Sequence, residues 1–269
     1  MDTVVNIPLL LRDTDAHGVH TLLLNRPARR NSLNLALILE LRRALDEIAN
    51  DQAVRAVVLA GNGLAFCAGH DLGEISGHRA DADGGESFFR QAMGECAAMM
   101  QQISALPQPV IAAAHGIATA AGCQLVATCD LAVAGADARF CTPGVSIGLF
   151  CSTPAVALSR AVAPKPAMEM LLTGDLISAE EAHRIFLVNR VVAAGTAREE
   201  ATALARRIAG RSALTVRLGK AAFRRQQGRA LDAAYADAAQ VMVQNLLAAD
   251  AAEGISAFLE KRTPIWQDR

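Results

Sequence analysis

The sequence predicts an α/β protein in which strands and helices alternate, followed by a helical C-terminal region with no strands of its own. Three observations support this. Short apolar runs bounded by Pro or Gly recur along the first two thirds of the chain. Helix-patterned segments separate them, as in parallel βα units. From Ala197 onward no strand-like run remains.

The elements follow in order. VHTLLLN (19–25) has the character of a buried strand, ended by the Arg26-Pro27 dipeptide. In Asn34 to Asn50 the residues Ile38, Leu41, Leu45 and Ile48 recur at spacings of three and four. That spacing puts one apolar stripe on a helix of about four turns. RAVVLAG (55–61), PVIAAAHG (109–116) and LAVAG (131–135) read as further strands. The Asp- and Gly-rich HRADADGGES (78–87) reads as a mobile loop. SAEE (178–181) is a capping box that opens a short helix, and LVNRVV (187–192) is the last strand. AREEATALARRIAG, SALTVRLGKAAFRRQQG and LDAAYADAAQVMVQNLLAAD are helix-patterned, with Gly210 and Gly228 as stops. The expected organisation is an α/β core over 1–195 and a helical region over 196–269. Without a sheet, that region must pack on the core or on another subunit.

Composition narrows the function. The chain has 269 residues, 52% of them hydrophobic, enough for a sizeable core. Lys plus Arg total 26 against 27 for Asp plus Glu, so no net field draws it to nucleic acid or an acidic membrane. Two charge-free stretches, Val110 to Cys129 and Phe140 to Ser159, contain glycines, prolines and hydroxyl residues and read as buried segments, not membrane spans. Cys67, Cys96, Cys123, Cys129, Cys141 and Cys151 form no CxxC pair and suit a reducing compartment. His17 and His20 make an HxxH without further ligands nearby, so no metal is expected. The N-terminus is acidic and interrupted by Pro8, unlike a signal or transit peptide, which makes cytoplasmic the expected location.

Two Gly/Ala segments carry the chemistry. GLAFCAGHDLGEI (63–75) follows one strand, and Gly69 allows a tight turn with exposed amides. AAGCQLVATCD (120–130) follows another, and its small residues admit a ligand to amides at a helix start, where the dipole favours negative charge. Together the segments suit an oxyanion hole.

AFCAGHDL, PVIAAAHGIATAAGCQLVATCDLAVA, FCTPGVSIGLF, LTGDLISAEEA and EGISAFLEKR occur in an order that resembles the crotonase superfamily, also called the enoyl-CoA hydratase/isomerase family. The likeness spans roughly residues 18 to 262, and ATAAGCQLVATCD with TPGVSIGLFCSTP resembles one branch in particular. The resemblance implies a crotonase-like spiral of ββα units with a C-terminal helical trimerisation region, assembled as a trimer or a dimer of trimers. It implies an acyl-CoA thioester as ligand and no separate cofactor, since coenzyme A enters with the substrate. The family's oxyanion amides fall on His70 and Ala121. The backbone of Ala68, Gly69, His70, Asp71 and Leu72 would line the coenzyme, and Arg29 and Arg30 would approach its phosphates. Phe258 and Lys261 resemble residues that reach a neighbouring subunit's ligand.

One departure matters. Hydrating members carry two glutamates where this chain has Gln124 and Gly144. Neither exchanges a proton near neutral pH. Asp130 and Asp137, the carboxylates nearby in sequence, flank a strand and suit turn or capping roles. Each lost acid or base group typically removes about 10²- to 10⁴-fold, whereas each oxyanion donor supplies roughly 10²- to 10³-fold without side-chain chemistry. Three readings stay open: water addition to a 2-enoyl-CoA, decarboxylation of a malonyl- or methylmalonyl-type CoA, and non-catalytic acyl-CoA binding. Gln124 reads as an orienting pocket residue or a structural amide, and the His70 imidazole as a participant or a lining group. Cys151 reads as a buried inert thiol. Ser152 and Thr153 lack partners for a nucleophilic triad.

Overall fold

The computed structural model describes residues 7–269; the first six residues of the acidic N-terminal stretch lie outside the described residues. The strands are β1 (Leu10–Thr14), β2 (Val19–Leu24), β3 (Ala56–Gly61), β4 (Val110–Ala114), β5 (Ile117–Thr119), β6 (Leu131–Gly135), β7 (Arg139–Cys141), β8 (Ile177–Ser178) and β9 (Arg190–Val192). The helices are α1 (Leu35–Asn50), α2 (Leu72–His78), α3 (Glu86–Ala105), α4 (Ala121–Thr128), α5 (Ser152–Ala161), α6 (Pro164–Thr173), α7 (Ala179–Arg184), α8 (Ala197–Ala209), α9 (Ala213–Gln226), α10 (Leu231–Leu246) and α11 (Ala249–Leu259).

Six strands form the main sheet in the order β1-β2-β3-β4-β6-β9, parallel except for β1. A second sheet has the order β5-β7-β8. The chain therefore advances by ββα units: β4 then β5 then α4, and β6 then β7 then α5, each sending one strand to each sheet. Cys67, past the end of β3, joins the small sheet through a parallel bridge to Ala118. This matches the ββα spiral that the family resemblance implies.

Burial follows the strand period of two. All six residues of β3 are buried, as a parallel strand covered on both faces requires. Val57 and Leu59 enter the larger core with α1, α3 and α4. Ala56, Val58 and Ala60 face the other way, with Ile111, Ala113 and Val133, onto Ala201, Leu204, Ala205 and Ala209 of α8. The alanines on both sides allow that helix a close approach. Thus α8 is part of the core packing although it follows residue 195. In α1, Ile38, Leu41, Leu45 and Ile48 are buried, and each such side chain is worth roughly 1.5–3 kcal/mol against exposure. Asn34 caps the helix by accepting from the Leu37 amide at 3.1 Å, and Ser178 caps α7 by accepting from the Glu181 amide.

The remaining helices are bound differently. α9 and α10 bury none of their residues fully. An ion pair anchors α9: Lys220 Nζ lies 2.6 Å from Asp130 and also donates to the Gln108 carbonyl, while Arg224 approaches the same carboxylate at 3.0 Å. Phe223, Tyr235, Met242, Leu246, Leu247, Phe258 and Leu259 are exposed along α9 to α11.

Several expectations from the sequence shift. Only 190–192 of LVNRVV is strand; Leu187 and Val188 turn back to donate to the Ala182 carbonyl, closing α7. The long last pattern is not one helix: α10 ends at Leu246, the backbone turns extended at Ala248, and the pattern's last two residues open α11. Helices take both ends of the loop expected over 78–87. Its middle is a bonded turn in which Asp83 accepts from the Gly85 and Ser87 amides, and His78 stacks on Phe88 with ring centroids 3.7 Å apart.

Candidate active site at two adjoining turns

After β3 the chain runs along the small sheet to Cys67 and turns at Gly69, whose φ is +85°. Leu33, just before α1, holds this turn from one side. Its amide donates to the Gly69 carbonyl at 2.7 Å and its carbonyl accepts from the Asp71 amide at 3.0 Å. A residue whose two flanking neighbours are bonded this way directs its own amide away from the partner strand. The His70 amide therefore faces away from Leu33.

The second turn meets it there. Ala120 takes φ 50° and ψ −117°, an unusual conformation for a residue with a side chain, and its amide donates to the Cys141 carbonyl at 2.9 Å. Ala121 then opens α4. Gly122 has no room for a side chain: a Cβ there would lie 2.1 Å from the Cys67 carbonyl oxygen. A Cβ on Gly69 would lie 2.9 Å from that of Ala120 and 3.4 Å from the Ala121 nitrogen. The two turns therefore touch, and glycine at 69 and 122 is what permits it. Among the described residues neither the His70 nor the Ala121 amide donates to another group. Two free amides on touching turns, one at a helix N-terminus, can share an anionic oxygen.

Gln124 lies one turn into α4, 4% exposed, and among the described residues its Oε1 has no hydrogen-bond partner. His70 Nε2 is a second buried atom without a partner, and burial pushes this imidazole below its ordinary value, with the Leu33 backbone opposing. The same burial favours its neutral form. Gly144 sits in a 3-10 turn, Pro143–Ile147. A Cβ on it would lie 2.4 Å from the Leu149 carbonyl oxygen and 2.9 Å from Cys151 Sγ. The place a glutamate side chain would leave from is filled.

The other expected residues divide. Arg29 and Arg30 are exposed on a turn whose Arg30 carbonyl accepts from the Ala68 amide, so they adjoin 68–72. Asp71 caps α2 by accepting from the Gly73 and Glu74 amides, and Leu72 is exposed at its start. Burial alone would raise the Asp71 carboxyl, but Arg26 and the helix amides outweigh it and hold it below the ordinary carboxylate value. Phe258 and Lys261 stand apart at the end of α11, Phe258 in a groove with Thr215, Leu246, Ile255 and Trp266. One chain alone does not bring them to the turn. Asp130 accepts from the Val110 amide and Asp137 from the Gly116 amide, both bracing strand ends. Cys151 is buried, and burial pushes its thiol up, as it does Cys141 to about 11.

Sequence reasoning missed Asn31 and Arg26. Asn31, fully buried with φ 54°, accepts from the Arg26 amide and donates to the Asn62 and Ala65 carbonyls, stapling the arginine turn to the segment that leads to His70. An asparagine directly after a pair of arginines, where left-handed backbone is tolerated, is the one local signal.

Comparison with known proteins bears on this geometry. Residues 14–269 match the family model for enoyl-CoA hydratase/isomerase. The rat protein named enoyl-CoA hydratase domain-containing protein 3, mitochondrial, is 44% identical over 96% of this chain and 85% of its own length. A crystal structure described as enoyl-CoA hydratase from Mycobacterium smegmatis is 51% identical, covers 97% of this chain and 99% of its own, and superposes with a TM-score of 0.92. The human domain-containing protein 3 structure is 41% identical, covers 96% and 100%, and has a TM-score of 0.90. This is the branch that ATAAGCQLVATCD and TPGVSIGLFCSTP resemble. The cytoplasmic expectation is overturned, because the rat, frog, mouse and human relatives are all named mitochondrial. Buried free thiols and an acidic start do not discriminate between reducing compartments. A crotonase fold, together with a family match over nearly its whole length, shows that the chain belongs to the enoyl-CoA hydratase/isomerase family.

Proposed function

We propose that the protein binds acyl-CoA thioesters with their carbonyl oxygen between the His70 and Ala121 amides, and that its nominal reaction is water addition to a 2-enoyl-CoA. The observation that carries this reading is the contact of the Gly69 and Ala120–Ala121 turns, with both amides free. As water adds to the β-carbon, charge accumulates on the thioester oxygen, and preorganised donors stabilise it by roughly 10²- to 10³-fold each. Gln124 orients the water by hydrogen bonding, and the proton that reaches the α-carbon comes from solvent. Without the glutamate pair the reaction is slow, by about 10²- to 10⁴-fold per missing group.

The crowding at Gly144 favours a second reading. In decarboxylation of a malonyl-type thioester the bond to the carboxylate breaks, its electron pair passes to the enolate, and carbon dioxide leaves. No protein base takes part, and a site without carboxylates does not repel the substrate. If neither reaction occurs, the chain is a non-catalytic acyl-CoA-binding protein. The ligand set includes the backbone of 68–72 with Arg29 and Arg30, while Phe258 and Lys261 act across a subunit contact. The exposed apolar residues of α9 to α11 support a trimer or a dimer of trimers formed through the 196–269 region.

The test is to assay the purified protein with crotonyl-CoA and malonyl-CoA, alongside Ala121→Trp. Slow hydration lost in the variant supports the first reading, and carbon dioxide release lost in the variant supports the second. Turnover unchanged by Ala121→Trp sinks the oxyanion assignment in either case.

A further inference from the structure

We propose that Arg26 is a positioning residue for the His70 amide, an inference that rests on the reading that this amide grips the thioester oxygen. Arg26 follows β2 and precedes the turn at Pro27–Arg29. Its guanidinium ties together two segments that flank the site. Nη2 donates to Asp71 Oδ2 at 2.8 Å, and Nη1 donates to the Ser32 carbonyl and, at 3.2 Å, to Ser32 Oγ. Ser32 Oγ in turn donates to Asp71 Oδ2 at 3.4 Å. Both side chains of the ion pair are only 15% exposed, so solvent screens it weakly.

The other carboxylate oxygen of Asp71 accepts from Gly73 at 3.1 Å and Glu74 at 3.4 Å, which fixes it to the first turn of α2. Asp71 is thus held at both oxygens, and it is the residue after His70. On the other side Leu33, the residue after Ser32, bonds both neighbours of His70 through an isolated bridge. The direction of the His70 amide is set by Leu33 on one side and Asp71 on the other. Arg26 bonds Asp71 directly and Leu33's neighbour Ser32 directly, so one planar cation braces both supports. A lysine would reach one of them, because an ammonium lacks the fork geometry that spans two acceptors.

A purely structural ion pair would support every ligand equally, whereas a positioning residue affects only ligands that use the amide. The test measures, on the intact protein, the affinities of butyryl-CoA and of S-butyl-CoA, a thioether lacking only the carbonyl oxygen. Two net hydrogen bonds predict that the wild type prefers the thioester by at least about fivefold. Arg26→Met is expected to bring that ratio below about twofold while S-butyl-CoA affinity changes by less than about twofold, with Arg26→Lys in between. If Arg26→Met fails to fold by circular dichroism, Arg26→Gln carries the same comparison. Equal weakening of both ligands, or an unchanged ratio, overturns the positioning role alone. A wild type that does not distinguish the two ligands overturns the underlying reading and the inference with it.

Discussion

Placing glutamates at 124 and 144, where the family resemblance expects them, is the most direct perturbation of the proposed site, and the geometry at Gly144 sets its outcome. A Cβ at 144 stands 2.4 Å from the Leu149 carbonyl oxygen, 3.3 Å from its carbon and 2.9 Å from Cys151 Sγ. Ordinary contact begins near 3.4 Å, so the Leu149 carbonyl must retreat by about 1 Å. That carbonyl belongs to a closed turn: the Leu149 amide donates to the Gly144 carbonyl at 2.9 Å, and Gly148 adopts φ +77° to make the return. Backbone has to move, and forced overpacking of this kind typically costs about 1–3 kcal/mol. At roughly 2–4 °C per kcal/mol, Gly144→Glu should melt about 2–12 °C below the parent. Gln124→Glu keeps the size of the side chain and so adds no clash, but it buries a carboxyl where the amide oxygen already lacks a partner among the described residues, so its loss comes from desolvation and falls when the group is protonated. The assay is thermal melting of both single variants and the double variant, with crotonyl-CoA hydration for each. The double variant should gain less than about tenfold in hydration, against the 10²- to 10⁴-fold that one competent acid or base normally supplies. A double variant that melts with the parent and hydrates about 10²-fold faster would refute the reasoning.

The remaining predictions concern stability and reactivity. Burial holds the His20 imidazole below 6.5, with Arg12 reinforcing it, so the folded state takes up its proton later than the unfolded chain. Stability from this group is present above pH 6.5 and falls as pH drops through that value; in urea titrations from pH 7.5 to 5.5, His20→Gln should flatten the decline. Lys220→Met leaves the Asp130 carboxylate with Arg224 as its one cationic partner beside the Val110 amide, at a cost of about 3 kcal/mol, the lower end for breaking a buried pair, and α9 should lose hydrogen-exchange protection before the sheet does. All six cysteines are free and buried, and burial pushes the Cys67 and Cys96 thiols up to about 12. An aromatic disulfide reagent at pH 8 should therefore release little colour until denaturant is added, and rapid reaction of one thiol in the folded protein would show an opening that this packing does not provide.

What the sequence disclosed, and what it hid, has a physical pattern. The parallel main-sheet strands were legible because a parallel strand covered on both faces is an unbroken apolar run, as in AVVLAG, whereas β1, antiparallel at the edge and exposed over four of its five residues, was not. The small-sheet strands β5, β7 and β8 have three, three and two residues. No periodicity can show in so few, and they are strands because the chain returns to pair Ile117 with Arg139 and Phe140 with Ile177. The same division runs through the site. The two turns were legible because only glycine and alanine permit such close approach, and Gly69 and Gly122 are where a side chain would collide. Arg26 was not, since its partner is 45 positions away and a lone arginine is ordinarily solvated. Gly144 is the instructive case. A sequence shows that its side chain is missing, but only the fold shows that the space is already taken by Leu149 and Cys151. A vacancy could be refilled by a single substitution, whereas a turn packed shut needs its neighbours to change as well. The glycine at 144 is therefore tied to the whole 143–151 segment, and a carboxylate there would require that segment to repack.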